Sequence, residues 1–354
     1  MKRALGIVLA LLLLGVAAGA GYWWWRDRRI GEFARTPAGA AGVKDVVIPP
    51  ASGPHRVSEL LAQAGVVADA DLTYAWIRRE KLGPKLRAGE YEFTVPLTPE
   101  QAIQKIVSGQ QKTYHVTIPE GLRLDEILPL LASSALKLRL DRLETLAADP
   151  DFVRRLGVPA ARLEGFLFPD TYSFTHGYTE ESVLGKMVAR TLEELQSAMA
   201  GKDPAVKLDP LGFLTLASIV EKETGAPEER PRIACLFLNR LRIGMPLQTD
   251  PTVLYAMMLI RGKFVKNITR QDLVTPHPYN TYTVRGLPPG PIASPGTAAL
   301  QAVAHPSQCS DLYFVSRNDG THVFCPTLQC HNAAVKKWQV DYWAEQRHRG
   351  RAGR

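Results

Sequence analysis

The amino-acid sequence predicts an α+β fold in which helices predominate. Three observations support this prediction: short strand-like and helix-like segments alternate up to about residue 117, apolar residues with helical spacing prevail after it, and a hairpin pattern around an Asn-Asp-Gly turn lies near the C-terminus. At 354 residues the chain is long enough for two domains. Its 45% hydrophobic and 22% charged residues are ordinary for a globular protein.

An uncharged run precedes the predicted domains. Residues 4–25 contain no charged side chain, and at about 1.5 Å per residue such a helix is long enough to cross a hydrocarbon core of about 30 Å. Lys2 and Arg3 precede the run, which fits a cytoplasmic N-terminus, although arginines also follow it. The sequence therefore predicts a single transmembrane helix.

A cleaved signal peptide is the competing interpretation of this run. The Ala-Gly-Ala at residues 18–20 resembles a cleavage site. Residues 22–25, Tyr-Trp-Trp-Trp, instead resemble an aromatic belt at a membrane interface, which favours an uncleaved anchor. We expect residues 1–30 to form a single-pass anchor and the remainder of the chain to be exported.

The net charge of +8 raises the question of an acidic partner such as nucleic acid or a membrane surface. Part of this charge lies at the two ends of the chain: Lys2, Arg3, Arg26, Arg28, Arg29, Arg347, Arg349, Arg351 and Arg354. Between the ends we find no compact basic stripe with interleaved aromatic residues, so we expect no nucleic-acid partner.

Two small regions follow the predicted anchor. Residues 31–42 are rich in Ala, Gly and Pro, which predicts a tether. In residues 43–117, a pattern of strand, turn and capped apolar helix occurs at Ser58 and Thr98, and it recurs at Asp125 beyond this region. This loose repeat resembles LysM-like modules, which bind glycans that contain N-acetylglucosamine. A small α+β spacer without a ligand is the alternative.

The four cysteines limit the possible covalent links. Cys235 lies in an apolar helical segment and is expected to be a small core residue. Among Cys309, Cys325 and Cys330, one pair could form a disulfide, which sequence cannot choose. A zinc site at Cys325, Cys330 and His331 matches no standard spacing. We expect no metal and no cofactor.

The strongest candidate for chemistry is residues 211–224, LGFLTLASIVEKET, an apolar helix that ends in Glu221 and Glu223. A poorly hydrated carboxyl group has a raised pKa, and it can therefore donate a proton near neutral pH. Glu221 shares its helical face with the small residues Ala217 and Ser218, whereas Glu223 shares its face with large apolar ones. A solvated helix end fits the same pattern.

Other polar residues could converge on this carboxyl group. They are Gln248, Asp250, Asn280, Tyr282 and the loop at residues 288–295. Each also has a purely structural interpretation, because Asp250 could cap a helix, Asn280 could hold a turn and Tyr282 could pack.

Several long segments carry a resemblance to a known family. LASIVEKET, FLNRLRIGMPLQTDPTV and PYNTYTVRGLPPGPIASPG, with EGFLFPDTY upstream, resemble the YceG-like endolytic murein transglycosylases from about residue 43 to residue 343. The resemblance implies an inner-membrane anchor, a LysM-like subdomain and a catalytic domain at residues 118–346, with a helical insert at 118–210 and a core at 211–346. A basic tail follows at residues 347–354. The resemblance also assigns the catalytic acid to the first glutamate of the SIVEKE segment, Glu221, and gives Glu223 no role.

The implied activity is lytic cleavage between N-acetylmuramic acid and N-acetylglucosamine within peptidoglycan strands. The product is a 1,6-anhydro end, and the reaction would end or trim nascent strands on the periplasmic side, with cell-wall synthases as possible partners. Ordinary glycosidases use two carboxylates, whereas this reaction needs one acid. From the sequence we infer that Gln248, Asp250, Asn280 and Tyr282 orient the glycan. A hydrolase that uses Glu221 with a second carboxylate such as Asp250, or a non-catalytic glycan-binding scaffold, is the alternative.

Overall fold

A computed structural model of the chain describes residues 2–344 and residue 346, without the side chains of residues 2–6 and 8. Over this range the protein is α+β, mostly helical, with strands paired into small two-stranded sheets, as the sequence predicts. The predicted basic tail at residues 347–354 lies outside the described residues.

The chain divides into two compact units. The first contains the described residues up to Tyr114 together with Ser173–Gly177, and the second contains His115–Tyr172 and the described residues from Tyr178 onward. The chain passes from one unit to the other within two paired strands, Thr113–Thr117 and Thr171–Thr175.

The first unit contains an antiparallel strand pair with helices between the strands in sequence. Its elements are α1 (Lys2–Arg35), β1 (Ala38–Ile48), α2 (Pro54–Gln63), α3 (Ala70–Arg79), a 3₁₀ turn (Gly83–Lys85), β2 (Gly89–Leu97) and α4 (Pro99–Ser108). β1 pairs antiparallel with β2, so the order is strand, helix, helix, strand. Ile30 and Ala34 at the end of α1 pack into the same core as Leu61, Tyr91 and Ile103.

Two local predictions for this unit need correction. Residues 31–42, predicted to be a tether, continue α1 to Arg35 and then begin β1 at Ala38. Ser58 does not cap α2, because that helix begins four residues earlier at Pro54, where the fixed φ of proline suits the first helical turn. The capping box at Thr98, which accepts from the Gln101 N–H, is confirmed.

The predicted anchor corresponds to α1. Within the part of the chain that the structure describes, no helix is both long and apolar enough to cross a membrane.

The second unit is built mainly from helices. Its elements, of which β3 and β4 belong in part to the first unit, are β3 (Thr113–Thr117), α5 (Leu124–Ala132), α6 (Leu140–Ala148), α7 (Pro150–Arg155), β4 (Thr171–Thr175), α8 (Glu180–Ala200), α9 (Pro210–Glu223), a 3₁₀ turn (Pro227–Glu229), α10 (Arg230–Arg242), α11 (Asp250–Arg261), α12 (Arg270–Val274), α13 (Thr297–Ala304), β5 (Tyr313–Ser316), β6 (His322–Cys325), α14 (Leu328–Val335) and a π-helical segment (Lys336–Asp341). α9 lies at the centre, in contact with α8, α10, α11 and α13. The predicted C-terminal hairpin is confirmed as β5 and β6.

All four cysteines are paired. Cys235 bonds to Cys309, and Cys325 bonds to Cys330. Cys235 is buried in the core, as expected, but its bond to Cys309 was not predicted, because the fold brings Cys309 to α10 from 74 residues away along the chain. Within the described residues, no group of three or more His, Cys, Asp and Glu residues could hold a metal ion.

Candidate active site

The buried helix α9 determines where its two glutamates lie. Asp209 caps its start by accepting from the Gly212 N–H at 2.7 Å, and residues 213–220 are all buried. The helix ends at Glu223, after which Thr224 is extended. Two residues correspond to about 200° around a helix, so the carboxyl groups of Glu221 and Glu223 leave α9 on nearly opposite sides.

The Glu221 carboxylate is enclosed and paired. Its side chain is 5% exposed; Oε1 accepts from Arg230 Nη2 at 2.9 Å, and Oε2 accepts from the Gly296 N–H at 3.0 Å. Burial raises the pKa of Glu221 above its usual value, while the Gly296 N–H and the Arg230 charge oppose that rise. Both oxygens therefore already have strong donors.

Two further segments meet beside Glu221. The Gly121 N–H donates to the Ser294 carbonyl at 2.8 Å, and the Ser294 N–H donates to the Leu122 carbonyl at 2.8 Å. Lys222 Nζ donates to the Gly121 carbonyl, also at 2.8 Å. We call the set Glu221, Lys222, Arg230, residues 121–122 and residues 294–296 the Glu221 junction.

At Gly296 the side chain of Glu120 lies close against the backbone of the Glu221 junction. A Cβ atom at this position would lie 1.9 Å from Glu120 Oε1. The negative charge of Glu120 also contributes to the raised pKa of Glu221. The absence of a side chain at Gly296 thus lets Glu120 lie against the backbone that binds Glu221.

The Glu223 carboxyl group has different surroundings. Glu223 is half-buried as a residue, as Glu221 is, but its Oε2 accepts only from Thr249 Oγ1, at 3.1 Å, and no cationic group of the described residues lies within 4 Å of its carboxylate. Desolvation by burial raises the pKa of Glu223 to about 7; the charge of Asp250 adds to the rise, and the Thr249 hydroxyl and the Arg240 charge oppose it. Glu223 therefore keeps its proton to a higher pH than an ordinary glutamate does.

Three of the four predicted binding residues lie on the segments around Glu223. Asp250 Oδ1 accepts from the Tyr282 hydroxyl at 2.7 Å. The exposed Gln248 has a positive φ of 49°, and its N–H donates to the Thr281 carbonyl at 3.1 Å. We call Glu223, Gln248, Thr249, Asp250 and Tyr282 the Glu223 cluster.

The fourth predicted residue, Asn280, is fully buried. Its amide nitrogen donates to the carbonyls of Asp272, Leu273 and Thr275, and Oδ1 accepts from the Tyr282 N–H at 3.0 Å. The side chain therefore holds the turn that precedes Tyr282. Its predicted contact with a glycan stays a prediction, but its amide is already committed to the backbone.

Among the buried carboxyl groups of this unit that sequence reasoning missed, Glu164 has a strongly raised pKa. Glu164 is 3% exposed and accepts from the Leu124 N–H and the Tyr255 hydroxyl, each at 3.0 Å. Burial raises its pKa to about 7. The available signal was a glutamate directly before the apolar and aromatic residues 165–168, GFLF.

Comparison with known proteins defines the class of this fold and site. Residues 46–337 match the model of the YceG-like family, so the chain belongs to that family. A crystal structure of a YceG-like protein from Listeria monocytogenes matches with a TM-score of 0.55 and 30% identity, covering 83% of this chain and 99% of that chain.

Two relatives carry a functional name. A Bacillus subtilis (strain 168) protein named endolytic murein transglycosylase is 32% identical over 315 residues, which are 83% of this chain and 84% of the relative. A Streptococcus pneumoniae (strain D39) protein of the same name is 29% identical over 347 residues, which cover 88% of this chain and 60% of that protein.

Proposed function

We propose that this chain is an endolytic murein transglycosylase that cleaves peptidoglycan strands between N-acetylmuramic acid and N-acetylglucosamine. Its family and the names of the two relatives support the reaction class. The observation that carries the proposal is Glu223: its carboxyl group accepts from Thr249, its pKa is raised to about 7 by burial and by the charge of Asp250, and Asp250 in turn accepts from Tyr282. Such a group can donate and then accept a proton at neutral pH.

One carboxyl group is enough for this reaction. The protonated acid donates its proton to the glycosidic oxygen, and the bond between C1 and that oxygen breaks with its electron pair leaving on the oxygen. The C6 hydroxyl oxygen of the same muramic residue then bonds to C1, and its proton returns to the carboxylate. No water is consumed, and the product carries a 1,6-anhydro end.

The choice of acid lies between the two glutamates of α9. The family resemblance in the sequence assigns Glu221, whereas the geometry supports Glu223 better. Glu221 has an ion pair on one oxygen and a backbone donor on the other, so neither oxygen is available to a glycosidic bond. Glu223 accepts one hydroxyl hydrogen bond, on Oε2, and has no ion pair among the described residues, so its carboxyl group can carry and transfer a proton.

The remaining members of the Glu223 cluster fit roles in binding. The exposed Asp250 carboxylate would stabilise the positive charge that develops at C1 as the bond breaks. The Tyr282 hydroxyl fixes that carboxylate at 2.7 Å, and the exposed Gln248 amide can bind sugar hydroxyls. These contacts would place the substrate for proton transfer.

Digestion of purified peptidoglycan tests the function. The wild-type protein should release anhydro products, which are one water lighter than hydrolysed products in mass spectrometry. Glu223→Gln should release none while keeping its fold, and Glu221→Gln should retain measurable activity. Complete loss in Glu221→Gln with activity kept in Glu223→Gln would assign the acid to Glu221 instead.

A two-carboxylate hydrolase is the second candidate, because Asp250 lies close enough to raise the pKa of Glu223. Reducing ends without the anhydro bridge would support it. If both glutamine variants behave as wild type in cells, while deletion of residues 43–117 does not, the chain acts as a glycan-binding scaffold.

We further propose that residues 1–30 anchor the chain in the inner membrane, with the catalytic part of the chain on the periplasmic side and residues 43–117 acting as a LysM-like glycan binder. The uncharged run at residues 4–25 supports the anchor, and it includes residues 4–6 and 8, whose side chains the structure does not describe. The strand, helix, helix, strand order of the first unit supports the LysM-like assignment. Deleting residues 2–25 should move the protein from the membrane fraction to the soluble fraction while activity on soluble glycan strands is kept.

A further inference from the structure

Glu221 and Arg230 close a short loop that contains Glu223. Glu221 lies in the last turn of α9, Arg230 is the first residue of α10, and their side chains meet at 2.9 Å. Between them α9 ends, Thr224 is extended, and its hydroxyl accepts from the Ala226 N–H at 2.9 Å. The position of Glu223 therefore depends on a segment whose two ends are joined by this ion pair.

The second oxygen of Glu221 fixes another segment. It accepts from the Gly296 N–H at the start of α13, where the preceding residues include the Ser294 that pairs with Gly121 and Leu122. One carboxylate thus joins the end of α9, the start of α10 and the start of α13. Lys222, the next residue of α9, binds the Gly121 carbonyl and so attaches the segment around Gly121 to the same helix end.

The burial of this ion pair makes it sensitive to the loss of one partner. The side chains of Glu221 and Arg230 are 5% and 12% exposed. Removing one member of such a pair leaves the other buried and uncompensated, whereas removing both avoids that penalty. An exposed ion pair would contribute little to the local geometry.

We propose that Glu221 is a positioning residue for the transglycosylase reaction. By closing the loop with Arg230 and binding Gly296, it holds the end of α9 so that the Glu223 carboxyl group faces Thr249 and Asp250. This inference rests on the proposed function and on Glu223 as the acid. Glu221 itself touches neither the glycan nor the reacting atoms.

The test measures turnover and binding separately on soluble, uncross-linked glycan strands. Glu221→Gln and Arg230→Gln should each lower kcat roughly 10- to 100-fold, the cost of a small misplacement of a catalytic group, with KM changed by less than about twofold. Arg230→Lys, which keeps the charge, should retain most of kcat. The double variant Glu221→Gln/Arg230→Gln should lose less than the product of the two single losses, because the partners act as a unit.

The pH profile adds a measurement that a purely structural role would not explain. The pKa of Glu223 is raised by its burial and by Asp250, and Glu221 is not among the groups that shift it. The remaining activity of Glu221→Gln should therefore keep the wild-type decline above about pH 7. If Glu221 were the acid, that decline would disappear with its carboxyl group.

Asp311→Asn is the matched control. Asp311 also lies in the second unit, its side chain is 6% exposed, and it pairs with Arg232 on the same helix as Arg230 at 2.7 Å. Arg232 is 48% exposed, so this variant should lower the melting temperature no more than Glu221→Gln does, and it should leave kcat within about twofold of wild type because Asp311 is not part of the Glu221 junction.

Three outcomes would overturn the inference. They are wild-type kcat in Glu221→Gln, a complete loss equal to that of Glu223→Gln, and a kcat loss in Asp311→Asn as large as that in Glu221→Gln. A wild-type protein that releases no anhydro product would instead overturn the proposed function itself, whatever the variants do.

Discussion

The end of α9 places two carboxyl groups, two residues apart, in opposite environments. At the Glu221 junction, an arginine and a backbone N–H occupy both oxygens. In the Glu223 cluster, one oxygen accepts from a threonine hydroxyl, and the negative charge of Asp250 acts on the carboxyl group. Burial raises the pKa of both groups, so burial alone does not distinguish them.

The difference comes from the segments that return to each side of the helix. Arg230 and Gly296 bring donors that stabilise the ionised form of Glu221, whereas Asp250 brings a negative charge that favours the protonated form of Glu223. Glu221, which is ion-paired, is suited to joining segments of the chain. Glu223, whose protonation changes near pH 7, is suited to proton transfer.

The largest expected effect is the loss of activity in Glu223→Gln. Because a positioned general acid contributes about 10²- to 10⁴-fold, we expect a fall of roughly 10³-fold or more in anhydro product formation, against 10- to 100-fold in Glu221→Gln. Mass spectrometry of digested glycan strands measures both, and circular dichroism checks that the variants are folded. Equal losses in the two variants would remove the functional difference between the two carboxyl groups.

The next largest expected effect is a loss of stability when the disulfide that holds α10, the helix that carries Arg230, is removed. The Cys235–Cys309 disulfide attaches α10 to a segment 74 residues away, whereas Cys325–Cys330 closes a loop of 5. On the chain-entropy model, losing them costs about 4 and about 2 kcal/mol of the free energy of unfolding. Urea unfolding of Cys309→Ser and Cys330→Ser measures this difference. A larger loss in Cys330→Ser would show that the long loop does not stabilise the region of Arg230.

The sequence predicted helices and strands better than it predicted which side chains contact each other. The buried stretch of α9, the helix cap at Thr98 and the C-terminal hairpin are all present, because each is encoded within a few consecutive residues. The ion pair of Glu221 with Arg230 and the bond of Cys235 to Cys309 were not predicted. Both depend on how helices pack, which spacing along one helix does not contain.

For the candidate site too, the sequence indicated the residues but not all of their contacts. Gln248, Asp250 and Tyr282 were selected together from the sequence, and the structure brings them together. The helical faces favoured Glu221 because Ala217 and Ser218 are small. In the structure both are buried, and the Ser218 hydroxyl accepts from the Ile292 N–H, so small residues there admit another segment of the chain.

Glu164 is a buried carboxyl group that forms no ion pair with any of the described residues, and it can be compared with Glu221. Its pKa is raised by burial from 4.5 to about 7, so the folded protein binds this proton more tightly than the unfolded chain does. The stabilisation is complete below about pH 4.5 and is lost as the pH rises through about 7. This shift corresponds to about 3 kcal/mol between pH 4 and pH 8.

Glu164→Gln should remove that part of the pH dependence. The glutamine oxygen can accept from the Leu124 N–H, and the Tyr255 hydroxyl can rotate to accept from the new amide. The free energy of unfolding, measured in urea at pH 5 and pH 8, should therefore differ less in the variant than in wild type. Glu223 contributes a slope of the same sign, so some dependence should remain. An unchanged difference would mean that Glu164 is ionised in the folded protein at both pH values.

The smallest expected effect is a shift in the pH dependence of kcat, and it comes from a change within the Glu223 cluster. Asp250→Asn removes the negative charge that helps to raise the pKa of Glu223, so that pKa should fall. An acid catalyst works while it is protonated, and the decline of kcat at high pH should therefore move toward lower pH, by less than about one unit. In Glu221→Gln the same decline should stay in place. If the shift appeared in Glu221→Gln and not in Asp250→Asn, the titrating group of the reaction would belong to the Glu221 junction, and the roles of the two carboxyl groups would be reversed.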